Sequence, residues 1–353
     1  MWDGSQLAQG NNPYAHAPDT APAPPGLEEL RGDINHSHLV TIYPPAAQLV
    51  FAIAAQFGNT TTDFKVFLVV LDILLCAVLL SVLKALNQPL TLAILYAWNP
   101  LPILEIAGSG HIDGAAVFFL LSAMLLLLVS RLKQHNSGLV IPAAAVLFAF
   151  SVLIKLFPLV FIPALLLLSR EYWRRFLIAF TATAMLLCVP FLPDLRNAYG
   201  TLDLYLRTWE FAGFAFQVLR DVSNGAFARG TLAVSFLLLC ALIYLRLWRS
   251  PSPSVVFHAC FQVAFCFLLL TTTLHPWYAL YLVAFLPLSG ALVPGMVFSW
   301  VVLLAYQVQI SYAISGTWQE RSWVAAVIFA APLFAWIAAA LASRSNPGGL
   351  SGR

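Results

Sequence analysis

The chain has 353 residues, of which 61% are apolar, 13% aromatic and only 9% charged, with a formal net charge of +3. Soluble domains carry about 25% charged residues, so this composition excludes a soluble enzyme, a nucleic-acid binder and a disordered chain. It describes an all-α, polytopic transmembrane helical bundle, because backbone groups in lipid must be satisfied inside each helix.

Residues 1–43 are polar and rich in Pro, Gly and Asn, as in N-N-P-Y (11–14) and A-P-A-P-P-G (21–26), and read as a loop with no span in it. Residues 44–58 are apolar but shorter than the about 20 residues a spanning helix needs, which predicts an interfacial or re-entrant helix. A transmembrane domain over 59–342 follows. Its candidate spans lie near 66–84, 88–107, 114–132, 138–154, 156–169, 176–193, 229–246, 254–273, 277–290, 293–309 and 322–342, eleven in all. A long loop, 194–228, interrupts them, and a polar tail, 343–353, ends the chain. Alternating strand patterns are absent, which argues against a barrel.

Lys84, Arg131 and Lys133, the group Arg170, Arg174 and Arg175, then Arg246 and Arg249, then Arg344 follow every second span. Placing them inside gives a consistent alternation. The unusual polar groups then gather on the outer side: residues 1–42, the turn G-S-G-H-I-D-G (108–114), Lys155, the loop 194–228, the turn L-H-P-W-Y (274–278) and the loop 310–321. The expectation is a site at the outer membrane boundary. Cys76, Cys188, Cys240, Cys260 and Cys266 sit in apolar runs without a C-x-x-C pair, and read as small packing residues, not as a disulfide framework or a zinc site.

The segments W-D-G-S-Q-L-A-Q-G-N-N-P-Y (2–14), I-N-H-S-H-L-V-T-I-Y-P-P-A-A-Q-L (34–49), W-N-P-L-P-I-L-E-I-A-G-S-G-H-I-D-G (98–114), K-L-F-P-L-V-F-I-P (155–163) and H-P-W-Y (275–278) resemble, in order and spacing, the GT-C-type glycosyltransferases. Among these the chain is most similar to bacterial polyprenol-phosphate-mannose-dependent mannosyltransferases. The resemblance implies transfer of a hexose, mannose in the nearest relatives, from a polyprenyl-phosphate donor to a hydroxyl of a lipid or glycan acceptor. The reaction would take place on the extracytoplasmic face of a bacterial cytoplasmic membrane. It also implies a helix and an acidic motif ahead of the W-D-G segment, so Asp3 is expected as the catalytic base or its partner.

Such a transfer needs a carboxylate to deprotonate the acceptor, cationic or N–H groups to stabilise the departing phosphate, and an apolar groove for the prenyl chain. No nucleotide leaves, and no phosphate-binding glycine motif occurs. No cofactor, metal or nucleic acid is expected. Asp113 is the second catalytic candidate, with an N-cap as its bland alternative. His111 shares its glycine-flanked turn. Glu105 lies one to two turns below, and an ionisable group in a membrane segment defaults to a functional hypothesis, with His111 or Lys155 as its expected partner. Lys155 is read as a phosphate contact or a snorkelling interfacial lysine. Arg207, among the aromatics of the long loop, offers a fork for phosphate. Tyr43, His275, Trp277 and Tyr278 complete the expected substrate contacts, with Gln48 a weaker candidate. The competing readings are a transporter or lipid carrier, which the lack of internal repeats and midplane polar groups disfavours, and a truncated, inactive relative serving as an assembly partner.

Overall fold

A computed structural model describes residues 1–58, 60–133, 138–249 and 251–345. It is helical, and among the described residues the only β-type pairings are two isolated bridges, from Phe211 and from Ala212 to Thr273. The expected polar tail lies, from residue 346 onward, outside the described residues.

Seven helices among the described residues are long and apolar enough to cross a membrane: Thr61–Ala85, Asp113–Leu132, Phe157–Phe191, Gly225–Trp248, Pro253–Leu270, Leu292–Ser315 and Ser322–Leu341. The count is eight if Leu90–Ala97 and Pro100–Gly108 form one broken span. The difference from eleven has identifiable causes. Two expected spans are helices of 15 and 14 residues, Val140–Ile154 and Pro276–Ser289, and two more run together as Phe157–Phe191. Hydropathy registers apolar length, whereas the backbone breaks at extended Lys155 and Thr271 and at 3₁₀ turns that open on Pro158, Pro190 and Pro276.

The chain divides into two compact units. The first comprises residues 1–93 and 102–209. At its centre Asp113–Lys133 packs on Val140–Ile154, both of which also meet neighbours on either side. Ala115, Ala116, Ala144, Ala145 and Ala149 are buried there, and small residues let helix backbones approach where lipid supplies no hydrophobic drive. Ser151 donates to the Ala116 carbonyl at 2.7 Å across this contact. Thr61–Ala85 starts at a capping box, with the Thr60 hydroxyl accepting from the Asp63 N–H and the Asp63 carboxylate accepting from the Thr60 N–H, each at 3.1 Å. One face of this helix buries Leu75, Leu79, Val82 and Leu83, and the other exposes Val66, Val70, Ile73 and Leu80. Such a helix is apolar all round because one side meets protein and the other lipid.

The second unit comprises residues 94–101 and 210–353. Leu280–Ser289 is buried along its whole length and packs on Pro253–Leu270 and Leu292–Val301. Gly295 permits this closeness, since a Cβ there would lie 2.6 Å from Leu286 Cδ1. Buried Asn99 is satisfied on both sides, donating to Ser299 Oγ at 3.0 Å and accepting from the Leu101 N–H at 3.0 Å.

Candidate functional site

In the first unit the Pro-rich segment 1–43 is docked, not free. Outside the short helices Trp2–Ala8 and Glu29–Asp33 its backbone is satisfied by local turns and by side chains. Gln6 donates to the Pro22 carbonyl at 2.6 Å, and Asn197 donates to the Tyr14 carbonyl at 2.8 Å. Asn12 reaches Asp194 at 2.9 Å. Tyr14 is fully buried, its ring edge-on to Phe191 and its hydroxyl donating to the Tyr43 carbonyl at 2.5 Å. The helix Trp2–Ala8 lies against Pro45–Ala54 so closely that a Cβ on Gly4 would sit 2.2 Å from the Phe51 carbonyl oxygen.

This docking fixes Asp3. Its Oδ2 accepts from Gln48 Nε2 at 3.5 Å, while the same amide reaches Thr41 Oγ1 and the Tyr43 carbonyl, each at 3.3 Å. Gln48 is fully buried and its Oε1 has no hydrogen-bond partner. Burial pushes the Asp3 carboxyl above the usual carboxylate range, against the opposing hydrogen bonds from Thr41 and Gln48.

Asp3 borders two cavities. One, of about 360 Å³, is lined by Trp2, Phe51, Phe64, Lys65, Ser109 and Gly110 besides Asp3. The other, of about 250 Å³, is lined by His36, Thr41, Thr201, Tyr205 and Trp209. Asp3, Pro18 and Ile34 belong to both walls.

The glycine-flanked turn meets the first cavity through Ser109 and Gly110. It follows a π-helical turn at Ile103–Gly108, a geometry frequent at functional sites. Gly110 has φ +78°, a left-handed conformation that favours glycine, and a Cβ on Gly114 would lie 2.6 Å from Ile106 Cδ1. Fully buried Glu105 accepts the His111 Nε2 contact at 3.4 Å, one of the two partners expected for it. Asp113 is buried at the start of Asp113–Lys133, with Lys155 Nζ 3.4 Å from Oδ2 and with Oδ1 lacking a hydrogen-bond partner. The Lys155 ammonium also lies 5.0 Å from the centre of the Tyr43 ring. Asp3, Tyr43, Glu105, His111, Asp113 and Lys155 therefore all belong to the first unit, and the last five form the His111–Glu105 contact, the Asp113–Lys155 ion pair and a cation–π contact.

Arg207 belongs to the first unit as well, but it is exposed and paired with Asp203 one helical turn away at 2.8 Å. In the second unit His275 is sandwiched between aromatic rings, with Trp277 stacked at 4.2 Å, Phe211 at 5.1 Å, and Tyr278 edge-on at 5.4 Å. Ala212 beside it has φ 51°, and its N–H is held by Glu320 Oε2 at 2.9 Å. Among the described residues no group of three or more His, Cys, Asp or Glu side chains is placed to hold a metal ion.

Lys65 escapes a sequence reading focused on loops. Its signal is a cation within the first two turns of a spanning helix, just after the capping box. Trp209 is visible in the sequence only as one aromatic among several. Besides Tyr205 one turn earlier, its ring meets His36 from a segment some 170 residues earlier, a pairing that no local pattern encodes.

No curated protein and no solved structure matches the chain. The sequence model of glycosyltransferase family 87 matches residues 41–274, which is more than half of the chain. With seven helices suited to a bilayer among the described residues, this is a multi-pass integral membrane protein, and the chain belongs to glycosyltransferase family 87.

Proposed function

We propose that the chain transfers a hexose, mannose by resemblance, from a polyprenyl-phosphate hexose to an acceptor hydroxyl. In this reading the site opens on the extracytoplasmic face of a bacterial cytoplasmic membrane. The observation that carries it is the position of Asp3 on the wall common to two cavities. A two-substrate transfer needs a base where the substrates meet, and a carboxylate raised by burial is a stronger base than a solvated one.

The larger cavity suits the donor. Thr61, Phe64 and Lys65 on its wall belong to the spanning helix Thr61–Ala85, so a prenyl chain can leave along that helix into lipid. Lys65 and Ser109 offer a cation and a hydroxyl for the phosphate, beside the apolar rings of Phe51 and Phe64. In the reaction the acceptor hydroxyl gives its proton to the Asp3 carboxylate. The acceptor oxygen forms a bond to the hexose C1. The bond from C1 to the phosphate oxygen breaks with its electron pair remaining on the phosphate, and polyprenyl phosphate departs. Asp113, Lys155 and Tyr43 hold the wall behind Gln48, and Glu105 with His111 fixes the turn that carries Ser109 and Gly110. His275, Trp277 and Tyr278 are a proposed substrate platform of the second unit. Arg207, engaged by Asp203, enters no step.

The donor class is tested with membranes containing the full chain, supplied with radiolabelled polyprenyl-phosphate mannose, polyprenyl-phosphate glucose or the corresponding nucleotide sugars. Label should pass to acceptor from a polyprenyl-phosphate sugar and not from a nucleotide sugar. Transfer from nucleotide sugars alone would refute the assignment.

A further inference from the structure

The smaller cavity beside Asp3 is set apart from the larger one by its aromatic corner and by the elements that line it. Its wall takes Asn35, His36 and Thr41 from the docked loop, and Thr201, Tyr205 and Trp209 from the region of the helix Leu195–Thr208. None of its lining residues lies on a helix long enough to span the membrane, whereas three in the larger cavity do. Trp209 anchors an aromatic corner, with the His36 ring at 4.9 Å and 72° and the Tyr205 ring at 5.6 Å and 36°. His36 is held at φ 55°, a left-handed conformation uncommon outside glycine, which presents its ring to Trp209. Leu39, Val40 and Ile42 supply apolar surface between the polar groups.

We infer that this cavity is the acceptor subsite and that it binds a hexopyranose ring of the acceptor. A hexose has one face of C–H bonds and a rim of hydroxyls. The C–H face suits the electron-rich face of Trp209 or Tyr205. The rim finds hydroxyl and amide groups in Thr41, Thr201 and Asn35, in a cavity of about 250 Å³ that accommodates one ring. One acceptor hydroxyl then faces Asp3 at the common wall. A prenyl chain is a poor occupant, because no residue of this wall belongs to a spanning helix along which the chain could leave into lipid. The inference rests on the transferase reading for its biological meaning, yet binding alone can test it.

The experiment uses the full chain in lipid nanodiscs and saturation-transfer NMR with methyl α-mannoside and methyl α-glucoside as probes. The wild type should transfer saturation to at least one hexoside. Trp209→Ala should remove most of that signal and Trp209→Phe should retain it. Thr201→Leu, which fills the cavity from the helix side, should also remove it. Circular dichroism and size exclusion report whether each variant is folded. No signal with the wild type, or an equal signal in folded Trp209→Ala and Thr201→Leu proteins, overturns the inference. Hexoside binding that survives when no polyprenyl-phosphate sugar is turned over sinks the donor assignment alone and leaves the subsite standing.

Discussion

At Asp3 two effects oppose each other. Burial destabilises the carboxylate and raises its pKa, while the Gln48 amide and the Thr41 hydroxyl stabilise the charged form. Burial prevails, so activity that requires ionised Asp3 should fall, on acidification, through a midpoint above the ordinary carboxylate range. Gln48→Met removes one of the donors that favour the ionised form. The carboxyl then ionises at still higher pH, and the acid limb of kcat/KM should move to higher pH while the plateau is retained. An acid limb that stays in place, or moves down, would show that Asp3 does not set it. The sequence makes several residues of this environment legible. Tyr43, His111, Asp113 and Lys155 are polar or charged groups at the ends of apolar runs, where burial and function are expected to coincide, whereas Asp3 lies in a polar loop and is singled out only by the resemblance of its W-D-G segment. The pairing of Asp113 with Lys155 is not legible, because it depends on two helices whose register only the packed alanines and the Ser151 bond establish.

The helix Trp2–Ala8 shows how little slack the element scale allows. Gly4 is in backbone contact with Phe51, and the nearest atom to an added Cβ would be a carbonyl oxygen at 2.2 Å, which has no rotamer to escape into. Gly4→Ala should therefore lift this helix from Pro45–Ala54 and displace Asp3. Misplacement of a catalytic group by about 1 Å can cost roughly a hundredfold in rate, and a loss of that order is expected in a transfer assay. Gly32→Ala, where an added Cβ meets nothing within 4 Å, serves as the control and should be neutral. Equal activity of the two variants would contradict the docking described for the loop. From sequence this segment reads as a polar loop, correctly without a span, but its compactness is hidden. Asn12, Tyr14 and Asn197 act through partners as many as 183 positions apart.

Across the whole molecule, apolar length identifies the membrane class readily and the span count less so. Helices of 14 and 15 residues satisfy the same composition as longer ones, and local backbone breaks set their limits: extended Lys155 ends one, and the 3₁₀ turn at Pro276 and left-handed Gly290 bound the other. Sidedness is the feature that composition addresses best, through the lysines and arginines of the short loops. Single cysteines on a background without the five native ones test it. Asn35→Cys, in the exposed loop, should react with a membrane-impermeant maleimide in intact cells, and Lys84→Cys, exposed at the end of Thr61–Ala85, only after permeabilisation. The reverse pattern would turn the site to the cytoplasm and remove the extracytoplasmic reaction.

The role of Asp3 as the base between two substrates is tested most directly by comparing wild type with Asp3→Asn, which keeps the side-chain shape and removes the basic oxygen. Transfer of labelled hexose from polyprenyl phosphate, measured at saturating donor on folded protein, should fall by roughly a hundredfold or more. Transfer at the wild-type rate would mean that the carboxylate shared by the two cavities is not the catalytic base.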